Sequence, residues 1–231
     1  MKELDELKRQ AAETAVESIA SSMVVGLGTG STAAYAIEAI GNGLQDGRLR
    51  NIVAIPSSEA SADKAESWGI PLATLDDYPV IDITIDGVDE VDPGLDLIKG
   101  LGGALLREKI VAVASREVII VGDYTKRVER LGTRAPVPVE VIPFGGRPVQ
   151  NYLESLGARV ELRRQAERPF VTDEGNYIFD CYFDLIENPA LLAQAIRAQP
   201  GVVEHGLFLG IATQLIIATL DGIERQYRRP V

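Results

Sequence analysis

The sequence predicts an α/β protein: an open, mostly parallel sheet flanked by helices, with a second, smaller ferredoxin-like α+β domain. Three observations lead there. Short apolar runs alternate with helix-spaced segments from the N-terminus onward, the rhythm of strands joined by crossover helices. The first strand-to-helix junction is rich in glycine, as the ligand-binding turns of such sheets are. Beyond residue 131 the order becomes β-α-β-β-α-β, the split βαβ pattern.

From Lys2 to about Ala20, the residues Leu4, Leu7, Ala11, Ala15 and Ile19 recur at helical spacing and make one apolar stripe. Met23 to Leu27 is a short apolar run ending in Gly28-Thr29-Gly30, a strand and then a tight turn. Ser31 caps the next helix, whose apolar positions include Tyr35, Ile37 and Ile40; Gly41, Gly43 and Gly47 are expected to end it. Asn51 to Ile55 reads as a second strand, and Ser57-Ser58-Glu59 as the cap of a helix reaching about Trp68. That lone tryptophan is expected to pack beneath the second helix.

Val80 to Asp86 alternates apolar and polar residues, a strand pattern, and runs into the acidic segment Gly87 to Gly94. Helical spacing returns from Ala104 to Ser115, and Glu117 to Val121 is apolar enough for a central strand. Next come a strand (Val139 to Ile142), a helix (Pro148 to Leu156) and a hairpin with Asp173-Glu174-Gly175-Asn176 at its tip. A helix from Pro189 to Ala198 and a strand after Gly201 complete the small domain, and Gly210 to Leu220 is expected to return to the larger sheet. The expected domain limits are residues 1–130 with 207–231 for the α/β domain and 131–206 for the ferredoxin-like one.

Composition removes several classes of function. The net charge of -11 repels nucleic acid and anionic membranes, so an anionic substrate needs a local positive site. Cys181 is the only cysteine, which excludes an intrachain disulfide and a Cys-rich metal site; it is expected to sit buried as a small hydrophobe. His205 is the only histidine, which weakens transition-metal and His-dependent nucleophilic mechanisms, and it reads as structural. Neither a signal-peptide core nor an apolar run of membrane-spanning length occurs, so a cytoplasmic setting is expected. Arg163-Arg164 and Arg228-Arg229 read as solvated faces.

Three segments can carry chemistry. The first, Gly26-Leu27-Gly28-Thr29-Gly30-Ser31-Thr32, has glycines that admit a ligand and a helix start that attracts anions. A small phosphate site, a dinucleotide site and a structural turn all stay open. The dinucleotide fingerprint lacks its third glycine, Ser31 standing there, and no acidic residue closes the second strand. The second is the cluster Asp86, Asp89, Glu90 and Asp92 at a strand end, either a site or a solvated acidic turn; its spacing does not match a calcium loop. The third is Ile98 to Lys109, where Ala104, Glu108 and Ala112 share a helical stripe while Leu106, Ile110 and Val113 pack elsewhere. Glu108 is then a carboxylate with room for a ligand, or a first-turn residue complementing the helix dipole. Lys8 and Lys126 read as surface lysines unless folding brings them to the Gly26–Thr32 turn.

Together the segments GLGTGST, SSEAS, DGVDEVDP, IKGLGGALLREK, DYTKRV, PVEVIPF, TDEGN and PGVVEHGLF resemble ribose-5-phosphate isomerase of the A type. The resemblance runs from about Lys8 to Phe208 and keeps the family order. It implies the two-domain fold already inferred, neither metal nor organic cofactor, a sugar phosphate as small-molecule partner, and a homodimer or homotetramer. Carried over residue by residue, it makes Glu108 the base, Asp86 and Asp89 the active-site aspartates, and Lys99 the active-site lysine. Thr29, Gly30, Ser31, Thr32, Gly87, Val88, Gly100, Leu101, Gly102, Lys126 and Lys8 become substrate contacts. The chain reads Gly-Leu-Gly-Gly at 100–103 where other members have Gly-Gly-Gly-Ala, which leaves Gly100 and Gly102 as backbone donors. The competing classes are a sugar-phosphate-sensing module, an acyl or CoA transferase and a dinucleotide oxidoreductase.

Overall fold

The N-terminal apolar stripe does form a helix. In the computed structural model, which describes residues 2–229, it is α1 (Lys2–Val16). After it come β1 (Val24–Leu27), α2 (Ser31–Gln45), β2 (Val53–Pro56), α3 (Glu59–Ser67) and β3 (Ile81–Asp86). Two short strands, β4 (Glu90–Val91) and β5 (Leu97–Ile98), precede α4 (Leu105–Val113) and β6 (Ser115–Asp123). The chain continues through β7 (Val137–Val141), α5 (Gly146–Ser155), β8 (Arg159–Leu162), β9 (Arg164–Gln165) and β10 (Arg168–Pro169). It ends with β11 (Tyr177–Tyr182), α6 (Pro189–Ala198), β12 (Val202–His205), β13 (Leu207–Phe208), β14 (Gln214–Thr219) and β15 (Gly222–Tyr227).

These elements form two compact units. The first takes residues up to Val88, Arg107–Lys126 and residues from Ile211 on; the second takes Asp89–Leu106 and Arg127–Gly210. In the first, a six-stranded sheet runs β15-β14-β6-β3-β1-β2. All its pairings are parallel except β14 with the edge strand β15. Strand alternation sends Val25, Leu27, Ile83, Ile85, Ile119, Val121, Ile216 and Ala218 into one core with α1 and α2. The other face gathers Val24, Ile55 and Ile81 around Val111 of α4. Burial on both faces explains why β1 and residues 118–121 of β6 read as apolar runs.

Two elements of this unit differ from the sequence reading. Helix α2 passes through Gly41 and Gly43 instead of stopping there. A Cβ on Gly41 would lie 2.7 Å from Trp68 Cβ, so that glycine is a close-packing position under the tryptophan, not a terminator. Strand β15 was not foreseen, because Gly-Ile-Glu-Arg-Gln-Tyr is mostly polar; as an exposed edge strand it needs no apolar pattern.

In the second unit, an antiparallel sheet runs β12-β7-β11-β8 with α5 and α6 as its connections, the ferredoxin-like order. Val137, Val139, Val141, Phe179 and Cys181 pack there against Val149 and Leu153 of α5 and Ile196 of α6. Burial pushes the Cys181 thiol far above its ordinary range, so it serves as a hydrophobe. Segment 89–106 lies in this unit, inside the limits expected for the larger domain, because β4 and β5 pair in a small sheet with β13.

Candidate active site

In the first unit the carboxyl ends of parallel strands share one edge, where ligands of open α/β sheets bind. At the end of β1 the chain leaves through Gly28-Thr29-Gly30 and enters α2. Gly28 is dictated by contact: a Cβ there would lie 2.1 Å from Asp86 Oδ1. Asp86, the last residue of β3, is 2% exposed. Its Oδ1 accepts the N–H of Thr29 at 3.1 Å and of Gly87 at 2.7 Å. The glycine turn and the first aspartate, separate motifs in the sequence, are one hydrogen-bonded assembly.

The Thr29 hydroxyl does not point at solvent. It bonds Ser57 Oγ at 2.9 Å, Ser58 Oγ at 2.8 Å and Ser61 Oγ at 3.2 Å, and Ser61 Oγ donates to the Gly28 carbonyl at 2.7 Å. Ser58 caps α3 as expected, accepting the Ser61 N–H. The cluster's second task, holding the turn, was missed; its signal is Ser61, a hydroxyl on the buried face of α3. Gly30, not Ser31 as the sequence suggests, caps α2, with φ 102° and no side-chain acceptor. The first-turn N–H groups, with exposed Ser31 and buried Thr32, therefore retain the anion-favouring character of a helix start.

Helix α4 runs back along the sheet. The Ala114 carbonyl accepts the N–H of Ile81 at the start of β3, and Val111 presses on Gly26 in mid-β1. One turn earlier is Glu108, 4% exposed. Its neighbour Arg107 is 2.8 Å from Glu59 at the start of α3. Ala104 and Ala112 are buried with Glu108, as the stripe predicted, whereas Ile110 and Val113 are exposed and do not pack. Lys126 lies half-buried in the turn Tyr124–Lys126 that leaves β6. Lys8 is half-buried on α1, 3.6 Å from Asp5.

In the second unit, Asp89 Oδ2 accepts the Leu101 N–H at 2.9 Å, while the Asp89 N–H donates to the Ile98 carbonyl. Lys99 is 3% exposed, with Nζ 5.6 Å from the Phe208 ring centroid and its N–H bonded to the Gly206 carbonyl. The Gly103 N–H closes on the Gly100 carbonyl at 3.0 Å, a tight turn with Leu101 and Gly102 at its centre. Glu90 accepts the amides of Gly132, Arg134 and Ala135, and Asp92 those of Gly94 and Asp96. The four acidic residues are thus loop-holding acceptors, not a solvated turn. Among the described residues, no group of three or more His, Cys, Asp or Glu could hold a metal ion. His205 Nδ1 accepts the Leu207 N–H at 3.3 Å, a structural role as expected.

Arg163 corrects the sequence reading. Arg164 is exposed, but the Arg163 side chain is only 11% exposed and forks onto Asp180.

Comparison with known proteins gives the family. The family model for ribose 5-phosphate isomerase A (phosphoriboisomerase A) matches residues 53–222. The chain is 52% identical over 226 residues to ribose-5-phosphate isomerase A of Synechococcus sp. (strain JA-3-3Ab), covering 97% of this chain and 98% of that one. Its identity to the Gloeobacter violaceus (strain ATCC 29082 / PCC 7421) protein of the same name is 55% over 223 residues, 96% of each chain. A solved D-ribose-5-phosphate isomerase in complex with phospho-erythronic acid superposes with TM-score 0.95 at 40% identity, covering 97% of this chain and 99% of that one. A family match over most of the sequence and relatives alike over nearly the whole of it leave one assignment: the chain belongs to the ribose 5-phosphate isomerase A family.

Proposed function

We propose that Glu108 carries the proton between C2 and C1 in the interconversion of D-ribose 5-phosphate and D-ribulose 5-phosphate, the reaction this chain performs as a member of its family. The observation that supports the role is a carboxylate 4% exposed on α4, whose adjacent Arg107 bonds Glu59 just past the carboxyl end of β2. Glu108 takes the C2 proton of the open-chain aldose, and negative charge gathers on the C1 carbonyl oxygen. A hydroxyl proton passes from O2 to O1, and Glu108 returns its proton to C1. Lys99 and the Gly100 and Gly102 amides stabilise the enediolate. Asp86 or Asp89 moves the proton that opens the furanose ring. Gly87 and Val88, between them, and Leu101 complete the contacts to the sugar.

The phosphate anchors the far end of the substrate at the Thr29–Thr32 turn, on the backbone of Gly30 to Thr32, the Ser31 and Thr32 hydroxyls, Lys126 and Lys8. Thr29 contributes by holding the turn in place, since its hydroxyl is engaged by three serines and its N–H by Asp86. This local positive grip opposes the net charge of -11. The phosphorylated sugar acid bound by the solved relative joins a phosphate to a carboxylate, a charge pattern like that of the enediolate. The reading includes the cytoplasm, where a single buried cysteine is at ease. It also includes a homodimer or homotetramer, supported by the fully exposed Phe144.

Two results are expected. Lys126→Ala raises KM for ribose 5-phosphate about tenfold, the scale of one charged phosphate contact, and barely changes turnover of the sugar lacking phosphate. Equal effects on both substrates remove Lys126 from the phosphate grip. The proposed chemistry needs only carboxylates, a lysine and amides, so activity is expected to survive dialysis against EDTA; loss restored by a divalent cation refutes that part.

A further inference from the structure

We propose that Arg163 is a positioning residue for this reaction, fixing the peptides of the Gly100–Gly103 turn so that its amides are oriented before charge develops. The inference rests on the reading above that this turn stabilises the enediolate. Its geometry lies wholly within the second unit.

Arg163 follows β8, and its N–H donates to the Ile178 carbonyl at 2.8 Å. Its Nε donates to Asp180 Oδ2 at 3.0 Å and its Nη2 to Oδ1, so the carboxylate occupies one edge of the guanidinium and sets its plane. The remaining nitrogen, Nη1, donates to the Gly100 carbonyl at 2.8 Å and the Leu101 carbonyl at 3.1 Å. In a trans peptide the C=O and N–H point in opposite directions. Drawing both carbonyls to Arg163 therefore turns the Leu101 and Gly102 amides away from it. The Leu101 amide reaches Asp89 Oδ2 on that other side, as the argument requires.

A second contact fixes the same turn. A Cβ on Gly103 would lie 2.3 Å from Phe170 Cζ, so that ring is seated on the turn, and the Phe170 N–H donates to the Arg163 carbonyl at 2.9 Å. A cation donating to a peptide carbonyl also polarises that peptide and strengthens its N–H as a donor. Lysine, a point charge without a fork, cannot hold Asp180 and two carbonyls in one plane.

The test uses Arg163→Lys, Arg163→Ala and Asp180→Asn in the full chain. Arg163→Lys is expected to lower kcat about 30-fold, below the loss for deleting an oxyanion donor outright, with KM for ribose 5-phosphate changed less than about twofold. The inhibition constant of phospho-erythronic acid should rise by the factor that kcat/KM falls, while that of inorganic phosphate stays put. Guanidinium ion at millimolar concentration should partly restore Arg163→Ala. Asp180→Asn, which keeps the arginine but loosens its plane, should repeat the pattern more weakly, and it carries the test if the arginine variants fail to fold.

A merely structural arginine would lower the melting temperature and the folded fraction, leaving kcat per folded molecule and the inhibitor ratio at wild-type values; that result overturns the proposal. The underlying reading is checked separately in the wild type. If phospho-erythronic acid leaves the Gly102 amide resonance unshifted by NMR, the role of the turn itself is wrong. A shifted Gly102 amide with wild-type kinetics in all three variants refutes the Arg163 inference alone.

Discussion

Glu108→Gln is expected to lower kcat about a thousandfold while KM and melting temperature stay near wild type. The glutamine keeps the shape and hydrogen-bonding reach of the carboxylate and loses only its basicity. Because the position is buried, exchanging a charge for a neutral amide costs no desolvation and leaves the fold intact. The missing factor is general-base catalysis, within the usual range of ~10²–10⁴ and equal to about 4 kcal/mol of barrier. Two measurements check it. The coupled assay for ketose formation gives kcat, and loss of deuterium from C2-deuterated ribose 5-phosphate into water reports the proton step directly. Both should fall together, since one group serves both. Glu108→Asp, which withdraws the carboxylate by one methylene, is expected to fall between, about a hundredfold down. A well-folded Glu108→Gln retaining more than a tenth of the rate would move the base elsewhere.

The fold was legible where local chemistry and tertiary environment agree. Helix α6 could be read to its ends, because Asn188 caps it, Pro189 opens it and its apolar positions recur at helical spacing. Strand β1 and residues 118–121 of β6 could be read because burial leaves them wholly apolar, and β3 because apolar and polar residues alternate in it. Reading failed where a residue's role is set by a partner far along the chain. Gly41 looks like a helix terminator until Trp68 is found against it. Arg163 looks solvated because its partners lie 17 residues ahead, at Asp180, and about 62 behind, at Gly100 and Leu101. The resemblance to a family assigned Asp86 a role, but the aspartate's grip on the glycine turn follows from parallel pairing of β1 with β3, which brings together residues 57 apart. Local pattern thus predicts elements and residue types, while the hydrogen bonds that make a site rigid are long-range and become visible only after folding.

That rigidity gives the second large expectation: Gly28→Ala should lower kcat/KM at least a hundredfold and also lower the melting temperature. The added methyl carbon would lie 2.1 Å from Asp86 Oδ1, 2.4 Å from its Cγ and 2.5 Å from its Cα. The last is backbone of a central strand, so a side-chain rotation cannot relieve the clash. Either the turn lifts off β3, breaking the Thr29 amide bond to Asp86, or Asp86 swings away and leaves both amides behind. Overpacking of this kind costs about 1–3 kcal/mol, and each hydrogen bond to a charged group adds about 1.5–3. In a chain of this length each kcal/mol lowers the melting temperature by about 2–4 °C. Gly30→Ala is the control. Nothing lies within 4 Å of a Cβ at that position, and its φ of +102° brings only backbone strain, about 1–3 kcal/mol. If loosening the turn were enough to impair the enzyme, the two alanines would behave alike. If Asp86 must be held at the turn for substrate to react, Gly28→Ala loses kcat as well as phosphate affinity, and Gly30→Ala loses mainly the latter. Wild-type kcat and stability in Gly28→Ala would mean that the contact between turn and aspartate plays no part in catalysis.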